Sequence, residues 1–332
     1  MVRPEKDSIG RRQLFVAGAG TRADFYFIGM IIIICSTMYY HSLYSYASMS
    51  DIGLREELLT GEATATTKTD ANIAATSISM KRFSNSNVPK TSGHVCKEGE
   101  RPKDDKGFNY HSQNKEDWEL LEQYHLGQLC NGTYLEMGGL DGLQYSNSFA
   151  FHDALGWKGV LIEASPTNYA KLVQNRPNEI ANVNAGICAE EKDLHWVNND
   201  RIGAVSGFLE FAAPSFRKKW WNKEQVQNAK VIRCRTLKNV LLDAVGEHYF
   251  FDFFSLDIEG GELDAVMSLD FDLVSFGVIF VEADGHNQLK NLAVQSYLEK
   301  NGYKFVKSQR NSDWFVNIHF ADIYKDIITR QS

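Results

Sequence analysis

The hydrophobic pattern divides the chain into three stretches of different kind. Residues 25–50 contain no Asp, Glu, Lys or Arg, and 25–35 is almost unbroken apolar sequence centred on Ile31-Ile32-Ile33-Ile34. As a helix, 26 residues reach ~39 Å, more than the ~30 Å hydrocarbon core of a bilayer. From 51 to 110 the pattern dissolves into runs such as Thr60-Gly61-Glu62-Ala63-Thr64-Ala65-Thr66-Thr67. A segment without hydrophobic period cannot bury enough apolar surface to offset its chain entropy.

From residue 131 one rhythm repeats. Strands are expected at 133–137, 159–163, 180–188, 231–235, 250–257 and 278–283, with helices at 146–155, 166–176, 236–245, 262–268 and 289–301. Pro177 stops one helix, and Gly246 and Gly302 close two others. The run Phe250-Phe251-Asp252-Phe253-Phe254-Ser255-Leu256-Asp257 reads as a strand covered on both faces. The end of the chain, 303–308 then 314–319, reads as a hairpin. Such alternation predicts an α/β fold with a doubly wound, mostly parallel sheet and an antiparallel terminal strand.

Charge assigns an orientation to the apolar stretch. Arg3, Lys6, Arg11, Arg12 and Arg22 precede it, whereas Arg55 is the only basic residue in its near distal flank. The positive-inside bias predicts a cytosolic tail (1–24), a signal anchor (25–46), a flexible Ser/Thr-rich stem (47–110) and a lumenal catalytic domain (111–332). Tyr39, Tyr40, Tyr44 and Tyr46 suit an interfacial belt. A cleaved signal peptide and a buried core helix are the alternatives; Tyr46-Ala47-Ser48 makes a poor cleavage site. The layout is that of a single-pass type II membrane protein of the Golgi or ER.

Composition agrees with a sizeable core: 43% of the 332 residues are hydrophobic and 12% aromatic. The net charge of −7 supplies no field to hold a polyanion, so nucleic acid is not an expected partner. Cys96, Cys130, Cys188 and Cys234 permit two disulfides in an oxidising compartment. Cys188 with Cys234, both at strand ends, is the favoured pair, then Cys96 with Cys130; four free buried thiols remain open. No CxxC spacing supports zinc and no metal ligand is assigned, while a metal joining Asp257 and Glu259 stays open. Asn131-Gly132-Thr133 is an N-glycosylation sequon abutting a core strand. Oligomeric state is not legible.

In doubly wound sheets the ligand sits beyond the carboxyl ends of the strands. Glu136-Met137-Gly138-Gly139-Leu140-Asp141-Gly142 ends the first strand, and its acidic loop lacks the GxGxxG spacing that meets a pyrophosphate. Glu163 ends the second, where a carboxylate accepts both ribose hydroxyls of a nucleoside. Asn184, Ala185 and Gly186 end the third and can flank an adenine. Ser255-Leu256-Asp257-Ile258-Glu259-Gly260-Gly261-Glu262 crowds three carboxylates that repel unless a cation or donors share the space. Asp257 or Glu259 is a candidate general base, and His286 in Glu282-Ala283-Asp284-Gly285-His286 a further one.

These residues resemble the FkbM-type methyltransferases over about 131–317. The likeness rests on Tyr134 to Gly142, on Ser146-Asn147-Ser148, on Leu155-Gly156-Trp157-Lys158-Gly159-Val160-Leu161-Ile162-Glu163-Ala164, on Val183 to Cys188, and on Ser255 to Glu262. The resemblance implies a class I methyltransferase (Rossmann-like) fold, S-adenosyl-L-methionine as cofactor, and O-methylation of a hydroxyl on a carbohydrate or small molecule. Glu136, Gly138 and Gly142 would hold the methionine side and Glu163 the ribose, with Asp257 between cofactor and acceptor. Gly139, Asp141, Ala164, Asn184 and Ala185 complete the candidate cofactor contacts. Gly139-Leu140 departs from the family's more usual Ala followed by a polar or aromatic residue. The insert 200–230 carries Phe208, Phe211, Phe216, Trp220 and Trp221 among Arg217, Lys218 and Lys219, and is expected to cover the cleft, stacking on a sugar or holding an acidic glycan.

Two other functions compete. The insect Star-like proteins share this likeness and imply a non-catalytic trafficking or binding adaptor. A nicotinamide oxidoreductase is disfavoured by the missing GxGxxG and by the terminal hairpin.

Overall fold

The computed structural model describes residues 88–329. The expected tail, anchor and first part of the stem lie outside the described residues. Among those described, no helix is long and apolar enough to cross a membrane.

Two short strands, β1 (His94–Val95) and β2 (Leu129–Cys130), pair antiparallel, and the Cys96–Cys130 disulfide joins them. This corrects the expected stem boundary at 110. Cys96 and Phe108 are already buried in the core, because the disulfide and the β1–β2 pairing draw 94–110 onto the domain.

β3 (Thr133–Met137), β4 (Lys158–Glu163) and β5 (Ala181–Asn184) run parallel side by side. The strand expected across 180–188 breaks at Ala185. Its second part, β6 (Gly186–Ile187), joins β7 (Asp193–Val197), β8 (Gly207–Phe208) and β9 (Lys230–Arg235) in a separate four-stranded sheet ordered β6-β9-β7-β8. Strand 231–235 therefore lies outside the main sheet, bonded to β6 and β7 and tied down by the Cys188–Cys234 disulfide. Both favoured cysteine pairings are present.

The chain returns to the main sheet with β10 (Tyr249–Leu256), β11 (Val274–Glu282), β12 (Tyr303–Gln309) and β13 (Ser312–Asn317). The order is β12-β13-β11-β10-β3-β4-β5, and only β13 runs against the others. This is the expected doubly wound, mostly parallel α/β fold with an antiparallel terminal strand. Alternation along the strands builds a core on each face. Leu135, Met137, Val160 and Ile162 pack to one side, and Tyr134 and Leu161 to the other. A fully buried side chain of this kind contributes ~1.5–3 kcal/mol.

Helix boundaries follow local chemistry. Ser165 caps the helix Pro166–Asn175 by accepting from Asn168 N–H, with Pro166 at the first position, where its missing N–H costs nothing. Thr236 caps Leu237–Val245 in the same way. The helix expected from 146 begins only at Phe149, because the hydroxyls of Ser146 and Ser148 are bonded to Glu136.

Candidate active site

At the carboxyl end of β3 the chain turns through Gly138, at φ +80°. A Cβ there would lie 1.9 Å from the carbonyl oxygen of Asp257, so the tips of β3 and β10 meet through a glycine that no other residue can replace. The N–H groups of Gly138 and Gly139 donate to Ile162 O at 3.0 and 3.1 Å, joining the turn to β4.

Glu163 closes the next corner. It is 3% exposed, and its Oε1 and Oε2 accept from Ser165 N–H (2.7 Å) and Leu140 N–H (2.9 Å). Burial pushes its carboxyl up to about 7 against the pull of those two donors. Two backbone bonds leave further lone-pair directions for a ligand. Glu136 is used differently. Oε1 takes Asn147 N–H (2.7 Å), and Oε2 takes the hydroxyls of Ser146 (3.0 Å) and Ser148 (2.5 Å). Both oxygens thus hold the 146–148 turn in place.

Behind this turn lies Arg176, fully buried. Its guanidinium donates to Glu179 Oε1 (2.9 Å), Gly142 O (3.0 Å), Tyr134 Oη (2.5 Å) and Ser148 Oγ (3.2 Å).

Beyond β10, Asp257, Glu259 and the last residue of β11, Glu282, bring carboxylate oxygens within 4.8 Å of one another. Crowding and burial raise all three. Asp257, although exposed at the cleft, reaches about 7, chiefly through desolvation by the surrounding protein and then the charge of Glu262, against a hydrogen bond with Glu282. Glu259 and Glu282 rise well above the usual carboxylate range, first by burial and then by repulsion from Asp257. The neighbouring Glu262 is tied into hydrogen bonds. It accepts from Ile258 N–H, Gly260 N–H and Lys290 Nζ, at 3.2, 3.0 and 2.6 Å. The sequence assigns no metal ligand and leaves a metal at Asp257 and Glu259 open; this oxygen-rich trio is the one group among the described residues with ligand spacing for a cation.

Two cavities that share part of their walls open here. The narrow one, about 110 Å³, is lined by Glu136, Gly138, Glu163, Ala164, Ala185 and Asp257 from the expected set, with Ile162, Ile187, Trp196 and Phe208 as apolar walls. The wide one, about 410 Å³, has Glu116, Lys219, Trp220 and His286 on its walls. Asp257, Glu259, Glu282 and Asn147 line both. Two buried polar atoms on these walls have no partner among the described residues, Asn147 Oδ1 and Trp196 Nε1.

Four expected contacts lie elsewhere. Gly139 faces Leu172. Asp141 turns its Oδ1 back onto Leu143 N–H and Gln144 N–H. Gly142 sits against Arg176, where a Cβ would come within 2.7 Å of the Arg176 side chain. Asn184 is exposed and braces the strand end through Nδ2 to Glu163 O and Ala164 O. His286 reaches the wide cavity, with Nδ1 2.8 Å from Ser215 Oγ and Phe216 edge-on to its ring. Within the insert, Phe208, Phe216 and Trp221 are buried packing residues, whereas Trp220 carries Lys219 Nζ 4.4 Å over its ring at the cavity wall. Sequence reasoning names Glu282 only as the start of the His286 segment and not as a site residue; the β10–β11 register, which pairs Leu256 with Val281, sets the two strand-end carboxylates side by side.

The profile of the Methyltransferase FkbM domain matches residues 136–305, just over half of the chain. The chain belongs to the FkbM methyltransferase family. A comparison with curated proteins finds no match. The FkbM region begins at Glu136 and takes in the glycine turn, the second sheet, the insert, Asp257 to Glu262 and Glu282. Both cavities are thus built mainly by family sequence; Gln113, Asn114, Glu116, Asn311 and Ser312 are added from outside it.

Proposed function

We propose that this methyltransferase uses S-adenosyl-L-methionine to O-methylate a hydroxyl on a carbohydrate or glycoconjugate, with its catalytic domain in the lumen of the Golgi or ER. The observation that carries the reading is Glu163, a buried carboxylate held at the narrow cavity by Leu140 and Ser165 N–H groups beside the Gly138 turn. The residues fit the cofactor. Glu163 suits a ribose diol, the walls of Ile162, Ile187 and Phe208 suit an adenine, and the unpartnered donor Trp196 Nε1 asks for an acceptor. The cavity walls bring carboxylates rather than a phosphate cradle, which favours a sulfonium nucleoside over a dinucleotide.

When bound, the cofactor supplies an electrophilic methyl group. The chain then has to position a hydroxyl and take its proton. Asp257 is the candidate base, since it faces both cavities and needs pH near 7 to be charged. Support for a sugar acceptor comes from the wide cavity, where the Trp220 ring stands among Asn114, Asn311 and carboxylates. With those carboxylates facing Lys219 alone among lysines and arginines, stacking on a neutral sugar is favoured over holding an acidic glycan, the two alternatives the insert offers.

Calorimetric titration with S-adenosylhomocysteine tests the cofactor. Glu163→Ala is expected to weaken binding roughly ten- to hundredfold, the worth of hydrogen bonds to a charged group. Wild-type affinity should rise from pH 6 to pH 8, because hydroxyl donors favour the ionised Glu163, whose carboxyl titrates at about 7. A wild-type protein that binds no better than the variant sinks the assignment and leaves the adaptor function as the alternative.

The lumenal placement has its own check. Asn131 is exposed, two residues before a strand whose Thr133 is buried. Chain made in cells should shift in electrophoretic mobility on treatment with an N-glycosidase, and Asn131→Gln should abolish the shift. Unshifted protein carrying free thiols at the four cysteines counts against a lumenal domain.

A further inference from the structure

Among the buried polar side-chain atoms that lack a partner within 88–329, only Asn147 Oδ1 and Trp196 Nε1 belong to residues of the cleft. Trp196 has already been assigned to the nucleoside. Asn147 differs, because it lines both cavities and its amide is held from both ends. Its backbone N–H donates to Glu136 Oε1 at 2.7 Å, and its Nδ2 donates to Ser255 Oγ on β10 at 2.9 Å. Glu136 is in turn held by Ser146 and Ser148, and Arg176 donates to both of those hydroxyls. With Nδ2 committed to Ser255, the face turned elsewhere is an acceptor. A buried acceptor left unbonded is costly, and native proteins keep few of them outside functional sites.

We propose that Asn147 is a ligand-binding residue of this methyltransferase, its Oδ1 receiving an N–H from a cationic ammonium group on the molecule bound in the narrow cavity. This inference rests on the S-adenosylmethionine reading and adds a residue to it. An ammonium is favoured over a hydroxyl by the company Asn147 keeps. Asp257, Glu259 and Glu282 line the same two cavities, and no lysine or arginine side chain is bonded to any of them among the described residues. A hydroxyl would satisfy the amide but leave the crowding of those three carboxyl groups unrelieved, whereas an ammonium answers both. The amino group of the cofactor's amino-acid end has this chemistry.

The test uses two probes that differ at that end. S-adenosylhomocysteine carries the ammonium; 5′-methylthioadenosine keeps the nucleoside and lacks the amino-acid portion. Both are titrated calorimetrically into wild-type protein, Asn147→Leu and Asn147→Asp. The expected result for Asn147→Leu is a roughly ten- to hundredfold loss for S-adenosylhomocysteine and less than a twofold change for 5′-methylthioadenosine. Asn147→Asp keeps an acceptor and adds charge, so it should recover most of the wild-type affinity for S-adenosylhomocysteine. Equal losses for both probes in Asn147→Leu show a merely structural role and overturn the inference. Unchanged binding of both probes, or an Asp variant as weak as the Leu variant, overturns it too. Each of these leaves the cofactor reading intact. A wild-type protein that binds neither probe removes the cofactor reading and this inference together.

Discussion

Arg176→Met is expected to cost about 3–5 kcal/mol of folding stability, the usual penalty for removing one partner from a buried charge network. The magnitude follows from what the guanidinium leaves behind. Glu179 Oε1, Gly142 O, Tyr134 Oη and two serine hydroxyls all receive its N–H groups, and its side chain is sealed from water. Glu136 is already raised by burial, with Arg176 the largest opposing influence. Without that charge, Glu136 keeps only its Ser146, Asn147 and Ser148 bonds and rises further above its unfolded value, while Glu179, held low against burial by His152, Arg176, Tyr134 and Gly159, loses one of the groups that lower it. Both losses are felt only where the carboxylates are charged, so the variant keeps more stability in acid and loses it as pH rises. Urea unfolding at pH 5 and pH 8 reads this directly. The deficit relative to wild type should be smaller at pH 5, and the melting temperature at pH 8 should drop by roughly 6–20 °C. A pH-independent loss below about 1 kcal/mol would show that Arg176 does not neutralise the pair. The same substitution should loosen the 138–142 turn, since Gly142 O is one of the acceptors released.

Arg176 also shows where sequence reasoning stops. The local pattern places it at the end of a helix before Pro177, and the helix does end beside it, at Asn175. Its burial depends on Tyr134, Ser146, Ser148 and Glu179 arriving from three directions, and no local pattern reports that. The main strands were legible because apolar runs bounded by glycine and proline need no partner to be recognised. The site corner was legible for a topological reason: parallel strands release their ends on one side, so Glu136, Glu163 and Asp257 had to converge. The second sheet was not. Residues 180–188 look continuous, yet the break at Ala185 is set by pairing with β9, more than forty residues later. Within the glycine loop, sequence could not say which residues face the ligand. Asp141 is consumed by its own turn and Gly142 by Arg176, while Gly138 alone meets β10.

Asp257→Asn is expected to lower methyl transfer by roughly 10²–10⁴-fold, the contribution of a positioned general base, while stabilising the fold at alkaline pH. The two effects share one origin. Asp257, Glu259 and Glu282 crowd within 4.8 Å, and burial raises each of them, with the charge of Glu262 adding to Asp257 and that of Asp257 adding to Glu259 and Glu282. A carboxyl whose folded value is raised contributes stability that is fully present below its unfolded value near 4 and is lost as pH climbs through the folded one. For Asp257 that folded value is about 7. Wild-type protein should therefore melt at a lower temperature at pH 8.5 than at pH 5.5, and the Asp257→Asn variant, uncharged at that position, should flatten the difference. Activity runs the other way, since the base works only when ionised. Wild-type turnover should climb through about pH 7, so the pH range that favours catalysis is the one that weakens the apo fold. A cation bound between the two cavities offsets the same repulsion, so S-adenosylmethionine, with its positive sulfonium, should raise the pH 8.5 melting temperature of wild type more than neutral-sulfur S-adenosylhomocysteine does. In Asp257→Asn that gap between the two ligands should narrow. An asparagine variant that keeps wild-type turnover removes Asp257 from the chemistry, and one whose melting temperature still falls steeply with pH moves the source of the strain to Glu259 and Glu282.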